Sequence, residues 1–154
     1  DKNVTFFPSY GAEQRGGTAN CYVVISDDMI GAPVSDSMED LIVMNEPSLR
    51  RFLGKLKPGG NLFVNSSIVH GSIEREDIHV VEVPVTEMAL EMGNAKVLNL
   101  IMLGVYVGYT QILPPELLLE TIEKKLGKKA QLIPLNKEAF RKGLEIGEKT
   151  RKQE

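Results

Sequence analysis

Cysteine is almost missing from this sequence of 154 residues, since Cys21 is the only one. A lone thiol excludes a disulfide within the chain. It also excludes an iron–sulfur cluster held by this chain alone, because such clusters usually take four thiolates. Histidine is nearly as scarce: His70 and His79 are nine positions apart, without helical spacing and without a cysteine partner. A zinc site is therefore not predicted.

Long hydrophobic runs and a strong net charge are missing as well. The longest apolar run, near residues 97–107, is interrupted by Asn99 and Gly104 and is shorter than the roughly 20 residues of a membrane span. A formal net charge of -3 gives no general attraction for nucleic acid or for an anionic membrane. The basic stretches at 124–129 and 137–152 are interleaved with Glu, as on solvated helix faces. We expect no nucleic-acid or membrane partner, and a cytoplasmic location.

The sequence does contain the alternating strand and helix signals of an α/β domain. Hydrophobic residues make up 42% and charged residues 25%, which is enough apolar material for a core at this length. Strand-like runs occupy 4–7, 19–26, 41–44, 61–65 and 78–83, and helix-like spacing occupies 46–56, 86–92, 95–109, 114–126 and 137–149. We predict one domain over 1–154 with a three-layer α/β/α arrangement: a Rossmann-like, mostly parallel sheet with helices on both faces.

Three local patterns sharpen that prediction. The strand-like run 41–44, the helix and the run 61–65 form a strand–helix–strand unit, which requires a parallel strand pair, and the segment Lys57–Gly60 is predicted to stop the helix. Gly104 and Gly108, four positions apart, predict that another helix or the sheet approaches this face closely. Cys21, in the middle of a strand-like run, is predicted to be a small core residue.

A glycine-rich polar loop between the first two strand-like runs is the strongest candidate for a functional segment. Glycine lets the backbone come close to another surface, and the Arg15 guanidinium offers donors suited to a carboxylate or a phosphate. An ordinary connection in which Arg15 pairs with Glu13 is the alternative, and the residues alone leave both interpretations open. The residues assigned to binding here are Tyr10, Gly11, Glu13, Arg15, Gly16, Gly17 and Thr18.

A second candidate lies directly after the strand-like run 61–65. Asn65 and Ser66, followed by Ser67, stand where open α/β sheets present their ligand-binding residues, although hydroxyls that cap a turn are an alternative. The sequence has no G-x-G-x-x-G fingerprint, no phosphate-binding P-loop and no G-x-S-x-G nucleophile elbow. A free-standing dinucleotide enzyme is therefore disfavoured, and no catalytic or metal-binding residue is predicted.

Longer stretches of the sequence resemble the gamma subunit of 2-oxoacid:ferredoxin oxidoreductases. The run from Val4 to Val34 carries the resemblance first, and its Tyr-Gly-Ala-Glu-Gln-Arg-Gly-Gly segment is similar to the 2-oxoglutarate and branched-chain 2-oxoacid branches. The similarity continues at 40–45, Lys57–Gly60, Pro84–Glu87, Ala89, Gly93–Asn94, Lys96, Val97, Asn99, Leu103 and Gly104. Members of the family usually begin with a strand and a Gly-Gly-Gln-Gly loop. Neither precedes Asp1, so we expect the natural polypeptide to begin earlier.

The resemblance implies a reaction and a set of partners. The reaction is the oxidative decarboxylation of a 2-oxoacid, with 2-oxoglutarate as the expected substrate. Coenzyme A enters as co-substrate, and the products are acyl-coenzyme A, carbon dioxide and reduced ferredoxin. Thiamine diphosphate, magnesium and the 4Fe–4S clusters then belong to the partner subunits, which are alpha, beta and, where present, delta, and ferredoxin meets the assembled complex.

The gamma part is thought to help bind coenzyme A and to complete the assembly, which favours a binding role for the Tyr10–Thr18 loop. No cofactor is expected on this chain alone, and the isolated chain is expected to be inactive. Two alternatives stay open: a purely architectural docking subunit, and a gamma subunit for a branched-chain 2-oxoacid, pyruvate or indolepyruvate.

Overall fold

Five strands and five α-helices form along residues 1–10 and 19–154, the part of the chain that the computed structural model describes. The strands are β1 (Asn3–Tyr10), β2 (Ala19–Ser26), β3 (Met38–Val43), β4 (Leu56–Asn65) and β5 (His79–Val83). The helices are α1 (Glu46–Phe52), α2 (Val85–Glu91), α3 (Leu98–Thr110), α4 (Pro115–Leu126) and α5 (Ile133–Gln153). Short 3-10 turns at Leu53–Lys55, Ala95–Val97 and Gly127–Leu132 lead into β4, α3 and α5.

The central sheet has the strand order β3-β4-β5, and both strand pairs are parallel. The strand–helix–strand prediction is confirmed, because α1 connects β3 to its parallel neighbour β4. Rows of residues run across the three strands, with Ile42 opposite Phe63 and Phe63 opposite Val81. Since all three strands point the same way, their carboxyl ends meet at one edge of the sheet.

Helices cover both faces of this sheet, as predicted. Leu62 and Val64 of β4 are fully buried on one face, where they join a cluster with Leu49 and Phe52 of α1. Phe63 points to the other face and packs in a second cluster with side chains of α2, α3 and α5. Alternate residues of a strand point to opposite faces, so a strand buried on both sides must be apolar throughout, as β4 is from Leu62 to Val64.

The first two strands do not join the central sheet. β1 and β2 pair with each other, antiparallel and in unbroken register from Asn3 opposite Ser26 to Tyr10 opposite Ala19. The prediction that Cys21 is a core residue is wrong, because Cys21 lies on this ribbon and is exposed. The physical reason is that apolar alternation predicts a strand correctly but does not reveal whether a layer covers it.

Helices α3 and α5 pack closely through glycines, as Gly104 and Gly108 predicted for α3. Gly143 and Gly147 of α5 face them, so glycines of both helices lie at the contact, where there is no room for a side chain. A Cβ atom at Gly104 would overlap the carbonyl oxygen of Phe140. Only residues without a side chain allow the two backbones to approach this closely.

One predicted boundary is wrong. The segment Lys57–Gly60 was expected to end a helix, but α1 ends at Phe52 and this segment already belongs to β4. Gly59 has a φ of 78°, and its N–H donates to the carbonyl of Asp77 at 2.6 Å. A Cβ atom at Gly60 would come within 2.7 Å of the Glu39 carbonyl oxygen. These glycines therefore allow close backbone contacts near the start of β4, and they do not end a helix.

Candidate functional site

The loop between β1 and β2 holds most of the residues that the sequence assigned to binding. Tyr10 is the last residue of β1, and 78% of its surface is exposed. The other assigned positions of the loop lie outside the described residues; they are Gly11, Glu13, Arg15, Gly16, Gly17 and Thr18. Their binding role stays a prediction.

Asn65, the last residue of β4, lies at the carboxyl edge of the sheet and is 1% exposed. Its side-chain nitrogen donates to the Thr86 hydroxyl at 2.9 Å and reaches the Met44 carbonyl at 3.5 Å. Its side-chain oxygen accepts from the N–H of Ser67 at 3.3 Å. One buried amide thus links the segments that follow all three strands, and its hydrogen-bonding groups point into the protein.

Ser66 and Ser67 continue this edge. The N–H of Ser66 donates to the carbonyl of Val83 at 3.0 Å, so the turn after β4 is tied to the end of β5. The Ser67 hydroxyl accepts from the N–H of Glu87 at 3.2 Å, in the first turn of α2. The Ser67 hydroxyl thus satisfies a backbone donor at the start of α2, whereas the alternative interpretation assigned the hydroxyls to the turn before His70. Ser66 is half-buried beside it.

Glu46, which sequence reasoning missed, organises the neighbouring part of the same edge. It follows Asn45, whose side-chain oxygen accepts from the N–H of Ser48 at 3.0 Å and caps α1. The Glu46 carboxylate accepts from the N–H groups of His70 and Gly71, both at 3.3 Å. The sequence marked the start of α1, but nothing in it indicates that residues 70–71 return to this carboxylate.

An open depression of about 480 Å³ runs along α1, from its first turn at this edge to its last turn. It is lined by Glu46, Pro47, Arg50 and Arg51. The Arg50 side chain is 79% exposed and lies 3.7 Å from the Glu46 carboxylate, and the Arg51 guanidinium stacks over the Phe52 ring at 5.2 Å. Guanidinium groups bind carboxylate and phosphate, and Arg50 already lies beside the Glu46 carboxylate.

The opposite, amino edge of the sheet carries a second polar cluster that the sequence did not reveal. Asp40 accepts from the Asn61 amide at 2.8 Å and from the Tyr106 hydroxyl at 3.1 Å. Burial, followed by the charge of Asp40, raises the pKa of the Tyr106 phenol above its ordinary value. Burial, and then a hydrogen bond to Glu154, raises the pKa of Tyr109 to about 12. Both phenols therefore stay protonated at neutral pH.

Within residues 1–10 and 19–154, no group of three or more His, Cys, Asp or Glu side chains could hold a metal ion. None of the helices in that same part of the chain combines the length and apolar character that a membrane crossing requires. The carboxyl edge carries hydroxyl groups, of which those of Ser67 and Thr86 already accept hydrogen bonds within the chain.

Comparison with known proteins gives these features a context. A model of the pyruvate ferredoxin/flavodoxin oxidoreductase family matches residues 1–146. The ketoisovalerate oxidoreductase subunit VorA of Methanothermobacter thermautotrophicus is 34% identical over 146 residues, covering 94% of this chain and 30% of that relative. The 2-oxoglutarate synthase subunit KorC of Archaeoglobus fulgidus is 28% identical over 152 residues, covering 98% of this chain and 75% of the relative. The chain thus spans less than a third of the VorA polypeptide.

Two solved structures share the fold. The gamma subunit of a keto/oxoacid ferredoxin oxidoreductase from Geobacter sulfurreducens superposes with a TM-score of 0.78 at 23% identity, covering 95% of this chain and 80% of that chain. The 2-oxoglutarate:ferredoxin oxidoreductase of Magnetococcus marinus, solved with 2-oxoglutarate, coenzyme A and succinyl-CoA bound, superposes with a TM-score of 0.85 at 23% identity. That match covers 96% of this chain and 26% of the longer one.

Proposed function

Because the chain belongs to the pyruvate ferredoxin/flavodoxin oxidoreductase family, we propose that it is the gamma-type part of a multi-subunit 2-oxoacid:ferredoxin oxidoreductase. The observation that carries this proposal is the family match over residues 1–146, together with the shared fold of a gamma subunit. The whole enzyme converts a 2-oxoacid and coenzyme A into acyl-coenzyme A and carbon dioxide, and it passes electrons to ferredoxin. Residues 1–154 act in it as one domain.

The residues of this chain fit a supporting role in that reaction. One cysteine does not fit a 4Fe–4S cluster, which usually takes four thiolates. The resemblance to the family assigns thiamine diphosphate and its magnesium to other subunits, and the described residues contain no group of three or more His, Cys, Asp or Glu side chains that could hold a metal ion. We therefore assign clusters, thiamine diphosphate and magnesium to partner subunits. This chain contributes binding and assembly.

Coenzyme A is the ligand that we assign to this chain. It carries several phosphates, and the loop 11–18 offers Arg15 and glycine N–H groups, which suit a phosphate. Arg50 and Arg51, in the last turn of α1, supply further positive charge beside an open depression of about 480 Å³. The solved Magnetococcus marinus relative, which binds coenzyme A, supports this choice of ligand.

The named relatives differ in their substrates. VorA is named for ketoisovalerate and KorC for 2-oxoglutarate, and both align along almost the whole of this chain. We retain 2-oxoglutarate as the first candidate and a branched-chain 2-oxoacid as the second. Purifying the enzyme with its companion subunits and assaying 2-oxoglutarate, ketoisovalerate and pyruvate with coenzyme A decides between them. The pocket for the 2-oxoacid belongs to the thiamine-binding subunits.

The coenzyme A role is tested with Arg15→Ala in the assembled enzyme. We expect the KM for coenzyme A to rise about tenfold or more, which corresponds to the loss of one charge-assisted hydrogen bond of about 1.5–3 kcal/mol, while the KM for the 2-oxoacid stays unchanged. Arg141→Ala, which removes an exposed arginine of α5, is the matched control.

An unchanged KM for coenzyme A in Arg15→Ala would contradict the ligand role. If the same variant also failed to retain the companion subunits, the purely architectural alternative would replace it. The assay must use the assembled enzyme, because the isolated chain is expected to have no oxidoreductase activity.

A further inference from the structure

The ribbon of β1 and β2 presents its apolar side to solvent. Side chains that stand opposite each other across an antiparallel pair share a face. The face called here the apolar face consists of Val4, Phe6, Pro8, Tyr10, Ala19, Cys21, Val23 and Ile25. None of these residues is charged, and every one except the half-buried Ile25 is exposed, with Phe6 at 64% and Val23 at 56%.

The other face of the ribbon is more polar and yet better covered. It consists of Asn3, Thr5, Phe7, Ser9, Asn20, Tyr22, Val24 and Ser26, of which only Asn3 and Phe7 are exposed. In most antiparallel sheets the apolar face is buried and the polar face is exposed to solvent. The ribbon has the reverse arrangement. Such an arrangement fits a surface that another protein covers.

The ribbon is well formed although it stands apart from the core. All eight residue pairs are in register, and at the open end Lys2 pairs with Asp27 at 2.7 Å. Among the described residues, no other helix or strand packs along it closely. A two-stranded hairpin alone is marginally stable in water, so an additional layer would stabilise it.

The two outer edges of the ribbon differ. β1 contains Pro8, which has no N–H and protects an edge against pairing. β2 has neither proline nor a charged residue from Ala19 to Ser26, so its outer edge can accept a further strand. A single partner can thus cover the apolar face and also place a strand beside β2.

The shape of the apolar face, together with the free edge of β2, bears on what that partner is. Eight residues at about 3.4 Å along two strands, each about 5 Å wide, make a strip of about 27 by 10 Å. A second copy laid face to face would cover the apolar face but leave the outer β2 edges of both copies unpaired. A groove in a larger subunit covers the face and pairs with the β2 edge at the same time.

We propose that the β1–β2 ribbon inserts into an apolar groove of another subunit of the same oxidoreductase, with the β2 edge paired to a strand of that subunit. This inference rests on the proposed function, which supplies the other subunits. Continuity within the family favours such a partner. The region matched here is 30% of the VorA polypeptide and 26% of the Magnetococcus marinus chain, so further parts of the enzyme adjoin it covalently there.

The test begins with Cys21, which lies on the apolar face and is the only thiol of the chain. In the enzyme purified from its source cell, we expect alkylation of Cys21 by N-ethylmaleimide to be at least tenfold slower than in the isolated chain. Unfolding the complex in guanidinium must restore full labelling, which verifies that the thiol is reduced. Equal rates in the complex and in the isolated chain would overturn the inference.

A pair of matched variants provides the second readout. We expect the double variant Phe6→Ser and Val23→Ser to lose the companion subunits, identified by mass spectrometry, with at least tenfold weaker association. Leu90→Ser removes an equally exposed side chain, at 60%, from α2 and should retain them. Circular dichroism must give both variants the spectrum of the original chain. If the double variant does not fold, protection of Cys21 decides alone.

The outcomes separate the two proposals. If the unaltered chain co-purifies with no thiamine-binding or iron–sulfur subunit, the proposed function fails and the ribbon inference fails with it. If the complex forms but the double variant assembles as well as Leu90→Ser, only the ribbon inference fails. If the isolated chain is a dimer in sedimentation and the double variant is a monomer, with the complex unaffected, the occupant is a second copy.

Discussion

At the scale of single residues, position relative to a strand end does not fix a function. Asn65 and Ser66 are neighbours at the carboxyl edge and were assigned to binding on the same argument. The structure separates them, because the Asn65 side chain is buried and bonded to Thr86 and Ser67, while Ser66 is half-buried. The binding role of both stays a prediction. Because its side chain is buried and bonded, Asn65 can affect a ligand only by positioning the segments that it links.

Replacing the buried amide should therefore cost stability. In Asn65→Ala the Thr86 hydroxyl and the Ser67 N–H lose their partner inside the protein, which costs about 1–3 kcal/mol. Urea denaturation measures the loss as a lower midpoint with an unchanged m-value. Asn99→Ala, at an exposed position of α3, is the control and should stay within about 0.5 kcal/mol. Equal midpoints for the two variants would contradict the linking role of Asn65.

At the scale of elements, the contact between α3 and α5 is the most closely specified part of the fold. Gly104 and Gly108 of α3 indicated a close approach before any partner was identified. The structure identifies the partner as α5, with Gly143 and Gly147 at the contact. The spacing of four positions in each helix places the glycines on one face, and the packing of both faces together makes each glycine necessary.

Adding one methyl group to this contact should destabilise the chain. In Gly104→Ala the new Cβ overlaps the Phe140 carbonyl and lies 2.7 Å from the Leu144 nitrogen, so the helices must separate. Alanine is the better helix former by about 1 kcal/mol, yet overpacking costs about 1–3 kcal/mol or more, so the net change is a loss.

The control for that variant is Gly54→Ala, where nothing lies within 4 Å of an added Cβ. Its unfolding midpoint should equal or slightly exceed that of the original chain, because alanine restricts the unfolded state. Thermal unfolding of both variants by circular dichroism gives the comparison. A Gly104→Ala chain as stable as Gly54→Ala would refute the close packing of α3 on α5.

At the scale of the whole molecule, the chain consists of a well-covered α/β core and a ribbon that stands apart from it. β4 is the central strand, buried on both faces and paired on both edges. β1 and β2 have only each other as strand partners among the described residues. Local stability depends on burial and on strand pairing, so the ribbon should unfold locally more easily than the core.

Hydrogen exchange of the isolated chain should reveal this difference. We expect the paired amides of β1 and β2 to exchange at least about a hundredfold faster than those of β4, because local opening free energies range from near zero to the global value. Mass spectrometry after proteolysis resolves the two regions. Comparable protection in both would mean that the ribbon is not an independent, weakly held unit.

The sequence by itself determined the order and type of the elements, the parallel β3–α1–β4 unit, the close approach of α3 and the family resemblance. These depend on local periodicity and on contiguous motifs, which are properties of neighbouring residues. Only the tertiary structure decided that β1 and β2 leave the central sheet, that Cys21 is exposed and that Glu46 receives the backbone of residues 70–71. These depend on contacts between residues distant in the chain. An alternation of apolar residues predicts a strand, but it does not show which surface covers that strand.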